Sequence, residues 1–192
     1  PGERLLRIGY SAGGPISIPA GPGRRADDGK GAGMSSAGER GGGTATALRG
    51  AVDVMAAAAR AGSLETDAIW IEYYRTLLFG RSGLQDPALS ARADALIAGE
   101  RDHIVVPNAR LVDAQSHGLR RWTLPDSIRP DPDRLRFFIG LEDPVFTTRQ
   151  TQRFARKLGG PVIMGYKGEG HLLFLTRPDV FDDIRAYFEA TP

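Results

Sequence analysis

Apolar positions recur at helical spacing through the middle of the chain, and shorter, denser apolar runs stand at its two ends. From Thr44 onward Leu48, Ala51, Val52, Met55 and Ala59 fall on one face of a helix. A second helix is predicted over residues 64–79, with Ser63 as N-cap, Gly80 as stop, and Trp70, Tyr73, Tyr74 and Leu77 on a shared stripe. A third fits residues 87–98, where Asp86 suits the cap, Pro87 suits the first turn, and Leu89, Ala93, Leu96 and Ile97 face one way. Past Gly99 the periodicity weakens, and the Pro, Asp and Arg residues of 125–134 read as a loop.

The last third alternates strand and helix. Residues 135–139 (Leu-Arg-Phe-Phe-Ile) make a mostly apolar run closed by Gly140, as in a strand buried in a parallel sheet. Thr147 or Thr148 caps a helix carrying Phe154 and Leu158 that ends at Gly159 and Gly160. Residues 162–164 form a second strand, and a Gly-rich loop leads to Gly170 and His171. Thr176 and Asp179 make a capping-box-like pair ahead of a helix with Val180, Phe181, Ile184, Tyr187 and Phe188 on one side. Such alternation predicts a parallel α/β architecture.

Between Pro19 and Gly50, Gly, Ala, Arg and Pro dominate without a period. So little apolar surface cannot offset the ordering entropy of a Gly-rich chain, so residues 19–44 are expected to be disordered and without a strand. A flexible linker is one explanation.

Composition narrows the chemistry. The 192 residues suffice for one core, and the lack of cysteine with only three histidines argues against disulfide frameworks and thiolate or His-rich metal sites. Net charge is +2 with both signs interspersed. A basic nucleic-acid binder is suggested by a pI near 9.2 and the Arg/Gly stretch, but aromatic interleaving is missing, so no nucleic-acid partner is expected. No apolar run approaches the roughly 18 residues of a membrane helix. The opening Pro1-Gly2-Glu3-Arg4 lacks a signal-peptide layout and an initiator Met. The expectation is a soluble, cytoplasmic fragment with no membrane partner.

At the amino end, residues 5–8 form a short strand leading into Gly9-Tyr10-Ser11-Ala12-Gly13-Gly14. This is the Gly-x-Ser-x-Gly pattern, whose glycines make room for a strained strand-to-helix turn that presents the serine hydroxyl. Ser11 is a candidate nucleophile, the alternative being an ordinary turn serine. A serine hydroxyl needs a base, and the base needs an acid to fix its tautomer. His171 follows a predicted strand, at the carboxyl edge where parallel sheets gather their sites. Asp143 lies just past another strand at that edge, with neighbouring Glu142 as the alternative acid. His103 and His117 read as surface residues.

The strings "LLRIGYSAGG", "FFIGLEDPVF" and "GEGHLLFLTRP" together resemble the α/β-hydrolase family. The resemblance covers the first 15 and last 55 residues best. It implies Ser11 as nucleophile, Asp143 as acid, His171 as base and the Ala12 N–H as one oxyanion donor. It also implies ester or amide hydrolysis through an acyl-serine with no cofactor, acting on a small-molecule substrate. Residues 1–18 would be the nucleophile strand and elbow, 45–130 a helical cap, and 131–192 the α/β part carrying acid and base. The aromatic stripe of Trp70, Tyr73, Tyr74, Leu77 and Phe79 would line an acyl pocket or simply pack the cap. The fold class expected is a partial α/β-hydrolase fold whose N-terminal strands are missing. Residues 16–44 depart from the family pattern in the manner of a reading-frame error or decayed segment. A catalytically incompetent or partner-dependent remnant is the alternative to an active serine hydrolase.

Overall fold

The computed structural model describes residues 6–11, 29–35, 42–106 and 130–190, with positions 108, 110, 111, 113, 114, 117 and 118. Among the described residues four strands, β1 (Arg7–Tyr10), β2 (Gly31–Met34), β3 (Leu135–Gly140) and β4 (Val162–Tyr166), form one sheet in the order β1-β2-β3-β4. Every pairing is parallel. All carboxyl ends therefore share one edge, and residues directly after the strands converge there.

Helices among the described residues include α1 (Gly42–Ala61), α2 (Thr66–Gly83), α3 (Pro87–Glu100), α4 (Thr148–Lys157), the one-turn α5 (Leu173–Thr176) and α6 (Val180–Glu189). The starts of α3 and α4 follow side-chain chemistry. The Asp86 carboxylate accepts the Ala88 N–H at 2.8 Å with Pro87 in the first turn of α3, and Thr147 and Gln150 close a reciprocal capping box on α4. At α2 the expected N-cap Ser63 is replaced by Glu65, since the helix starts at Thr66, and Ser63 Oγ instead accepts the Glu65 N–H at 3.0 Å ahead of the helix.

Strand alternation sends β3 into two cores. Leu135, Phe137 and Ile139 pack with Phe154, Ala155 and Leu158 of α4 on one face. Phe138 turns to the other face with Tyr166, Val180, Ile184 and Tyr187. A third cluster at the carboxyl edge joins Leu77, Leu78 and Phe79 of α2 to Ala93 and Ile97 of α3 and to Leu172.

Three further expectations change. Residues 31–34 lie within the stretch expected to be disordered, yet they form the buried strand β2 between β1 and β3. Tertiary fit overrides propensity here: a Cβ on Gly33 would stand 2.8 Å from the Phe137 ring, so the position takes only glycine without a shift. Lys30 fixes the strand's start by donating to the Tyr187 carbonyl at 2.9 Å, near the C-terminus of α6 where a cation is favoured. Residues 19–28 and 36–41 lie outside the described residues.

Helix α1 forms, but its apolar stripe faces solvent, with Leu48 and Met55 68% and 73% exposed. The face turned to α2 carries Asp53, Ala57 and Arg60 instead. Asp53 pairs with Arg81, Arg60 donates to Thr76 at 2.8 Å and to Glu72 at 3.2 Å, and buried Ala57 shares their helix face. Charged residues with partners on another helix leave no hydrophobic signature.

The third change is at α6, where Phe181 is exposed and the Thr176–Asp179 capping pair does not form. The Thr176 hydroxyl donates instead to the Leu172 carbonyl at 3.5 Å.

Candidate active site

Ser11 is the first residue after β1. Its N–H donates to the Met34 carbonyl at 3.0 Å, and its φ of +51° places a side-chain-bearing residue in the left-handed region. Such a conformation costs about 1–3 kcal/mol and persists only where surroundings impose it. Ala12 and the glycines after it lie outside the described residues, as does the oxyanion donor assigned to Ala12.

His171 and Asp143 come from the loops after β4 and β3. The Nδ1 of His171 is 2.9 Å from Asp143 Oδ2, and its Nε2 is 3.1 Å from Ser11 Oγ. Both partners of the first bond are buried, Asp143 at 3% exposure and His171 at 6%. The other carboxylate oxygen of Asp143 accepts the N–H groups of Val145 at 2.7 Å and Phe146 at 2.9 Å. This Asp-Pro turn points Oδ2 at the imidazole and leaves the carboxylate fully engaged, as a buried charge requires.

The imidazole plane is enclosed by rings. Tyr10 lies 5.3 Å and Phe146 5.8 Å from it between centroids, and the Tyr10 hydroxyl donates to the His171 carbonyl at 3.4 Å. Burial, followed by the charge of Asp143 and then Tyr74, pushes the Tyr10 hydroxyl far above its ordinary range, so it stays a neutral donor. Tyr73 is pushed up to about 12 by burial and by the charges of Asp53 and Asp143.

Of the sequence candidates, the structure brings together Ser11, Asp143 and His171. Glu142 points elsewhere, its carboxylate accepting from Ser82 Oγ at 2.5 Å. His103 is exposed at 3.5 Å from Glu100, and His117 is exposed. Leu77 and Phe79 of the aromatic stripe sit in the α2–α3 core, with Trp70 edge-on to Tyr73 at 5.3 Å. The ring contacts of Tyr10 and Phe146 with His171 are not readable from sequence, although both residues lie within the motifs that carry Ser11 and Asp143.

A cleft of about 650 Å³ opens between α1, the end of α2 and the acid loop, lined by Val52, Asp53, Arg81, Glu142 and Pro144 among others. Neither Ser11 nor His171 lines it. Among the described residues no group of three His, Asp or Glu side chains is arranged to hold a metal ion, and no helix is long and apolar enough to cross a membrane.

A parallel sheet with a serine turn, an acid and a histidine at its carboxyl edge, in that chain order, is the arrangement of the α/β-hydrolase fold, and solved structures of that fold superpose on the chain. A Mycobacterium tuberculosis protein assigned as a non-haem bromoperoxidase superposes with a TM-score of 0.66 at 14% identity, over 97% of this chain and 67% of its own. An α/β-hydrolase enzyme from a Medee basin deep-sea metagenome library gives 0.62 at 12% identity, over 98% and 66%. Est816, an N-acyl homoserine lactone degrading enzyme, gives 0.55 at 19% identity, over 96% and 67%. The chain thus has the α/β-hydrolase fold and spans about two thirds of the length of these structures. No family profile and no curated protein matches it in sequence.

Proposed function

We propose that the protein is a serine hydrolase that cleaves an ester or amide of a small molecule through an acyl-serine intermediate. The observation that carries this reading is the single imidazole bridging Asp143 at 2.9 Å and Ser11 at 3.1 Å. With Asp143 ionised, Nδ1 carries the proton and Nε2 is left as the acceptor facing the serine hydroxyl. As Ser11 Oγ attacks the substrate carbonyl, its proton passes to Nε2, and Asp143 stabilises the imidazolium. That proton then leaves with the alcohol or amine as the acyl-serine forms. Water, deprotonated by the same Nε2, releases the acid and restores the serine. The Ala12 N–H is the proposed donor to the oxyanion. This sequence of steps calls for no cofactor.

A fluorophosphonate probe tests the reading. A mass increment on Ser11 that disappears in Ser11→Ala supports it, and absence of labelling in the folded protein overturns it. A second reading, a remnant that needs a partner to become competent, is favoured by the position of β1. Among the described residues that strand is paired on one side only, and Leu6 and Ile8 are 49% and 51% exposed. Labelling that appears only on adding a binding partner would favour it.

A further inference from the structure

The base loop has a long way to reach. In the order β1-β2-β3-β4, the strand that precedes the His171 loop is three spacings, about 14 Å, from the strand that precedes Ser11. The loop must cross the sheet edge to bring Nε2 to the serine, and its anchor is α2.

In α2 the helical backbone breaks at Gly80, with φ +69° and ψ 174°, a region essentially reserved for glycine. Just before the break, the Leu77 carbonyl accepts the N–H groups of His171 at 2.7 Å and Leu172 at 3.1 Å, and the Leu78 carbonyl accepts Gly170 N–H at 2.8 Å. Helix-terminal carbonyls, which need partners from outside the helix, thus bind the backbone of the base loop. Beyond the break the same helix meets the acid loop. A Cβ on Gly80 would lie 2.5 Å from the Glu142 carbonyl oxygen, and Ser82 Oγ holds the Glu142 carboxylate at 2.5 Å. The ring closes where Glu142 N–H donates to the Glu169 carbonyl at 2.9 Å. Gly170 is held equally close, since a Cβ there would collide with the Leu77 carbonyl.

We propose that Gly80 is a positioning residue for His171: by ending the helical run of α2 where it does, it clamps the acid and base loops together and holds the imidazole in line with Ser11. The proposal rests on the reading of Ser11, His171 and Asp143 as a catalytic unit. Gly80→Ala should push the helix end off the Glu142 carbonyl and loosen the base loop. A misplacement near 1 Å costs about 10²-fold in rate. Folded Gly80→Ala should therefore lose about that much in Ser11 fluorophosphonate labelling and in kcat, with KM changing less than about twofold. The hydrogen-bonded Nδ1 proton of His171, seen downfield by NMR, should broaden or vanish. Gly170→Ala, which attacks the same contact from the loop side, should do likewise.

A merely structural glycine would lower the melting temperature and leave the His171 signal and the labelling rate of the folded protein unchanged; that result overturns the proposal. Should both variants fail to fold, hydrogen exchange on the unaltered chain decides. The Gly170 and His171 amides should open in the same denaturant-dependent event as α2, and free exchange of these amides while α2 stays protected overturns the clamp. If Ser11 never labels, the hydrolase reading falls, while the Nδ1 signal and exchange still test the clamp.

Discussion

Asp143 and Ser11 sit at opposite ends of one hydrogen-bonded chain and are held by unequal means. Asp143 has three bonds to its carboxylate oxygens, lies in a loop tied to the base loop by backbone, and follows a strand paired on both sides. Ser11 follows a four-residue strand that is paired on one side among the described residues, and a single backbone bond to Met34 ties its own N–H to the sheet. The acid–base end is over-determined, and among the described residues the nucleophile end takes its register from β2 alone. Losses of chemistry and losses of structure should therefore be separable by position.

The largest effect should come from removing either partner of the weaker link. Ser11→Ala and His171→Ala should each reduce p-nitrophenyl ester hydrolysis by about 10⁴-fold or more, and the double variant should be hardly worse than either. Additive losses in steady-state rates would mean the two do not act as a unit. At the other end, Asp143→Asn should cost about 10³- to 10⁴-fold by favouring the wrong imidazole tautomer. Glu142→Gln should stay within a few-fold of the parent, because its carboxylate serves Ser82 and not His171. Equal losses from the two substitutions in the same assay would erase the distinction between them.

A substitution in β2 tests the structural half of the comparison. Gly33→Ala forces a methyl group against the Phe137 ring at 2.8 Å and should destabilise by about 1–3 kcal/mol in urea unfolding. Its Ser11 labelling should fall more than the His171–Asp143 NMR signature changes. Phe137→Leu combined with it should recover part of the loss, and no recovery would place the strain elsewhere.

The smallest effect is alkaline. Tyr73 and Tyr187 are each pushed up to about 12, chiefly by burial, against an unfolded value near 10. Above pH 10 the unfolded chain loses protons that the folded chain retains, so their contribution is intact below about pH 10 and drains away between about 10 and 12. Denaturation midpoints measured across that range should fall, and Tyr73→Phe should make the fall shallower.

Much of the site was legible because its signals are local. Asp86 and Thr147 announce helix starts, the apolar runs of β3 and β4 announce strands, and the residues after them announce the edge where Asp143 and His171 meet. What was not legible depends on distant neighbours. Nothing in Gly31, Ala32 and Gly33 favours a strand until Phe137 needs the space above it. The apolar stripe of α1 misled because Asp53 and Arg60 have partners on α2 that make the charged side the inner one. Gly80 was readable as a helix stop, but its second role requires knowing that the loop carrying His171 arrives at the carbonyls it leaves available.

The hydrogen bonds that the base loop donates to the Leu77 and Leu78 carbonyls also bear on how such proteins diversify. Helices α1, α2 and α3 lie between β2 and β3 in the chain, so that replacing this segment as a module would place the junctions in its connections to the sheet. Here an exchange would also swap the carbonyls that seat the histidine. A donor segment could be accepted only if its second helix ended at the same height above the sheet and carried a glycine at the break. Chimeras that respect this one junction should tolerate wide variation along the exposed face of α1, and those that ignore it should fold around a histidine without a fixed seat.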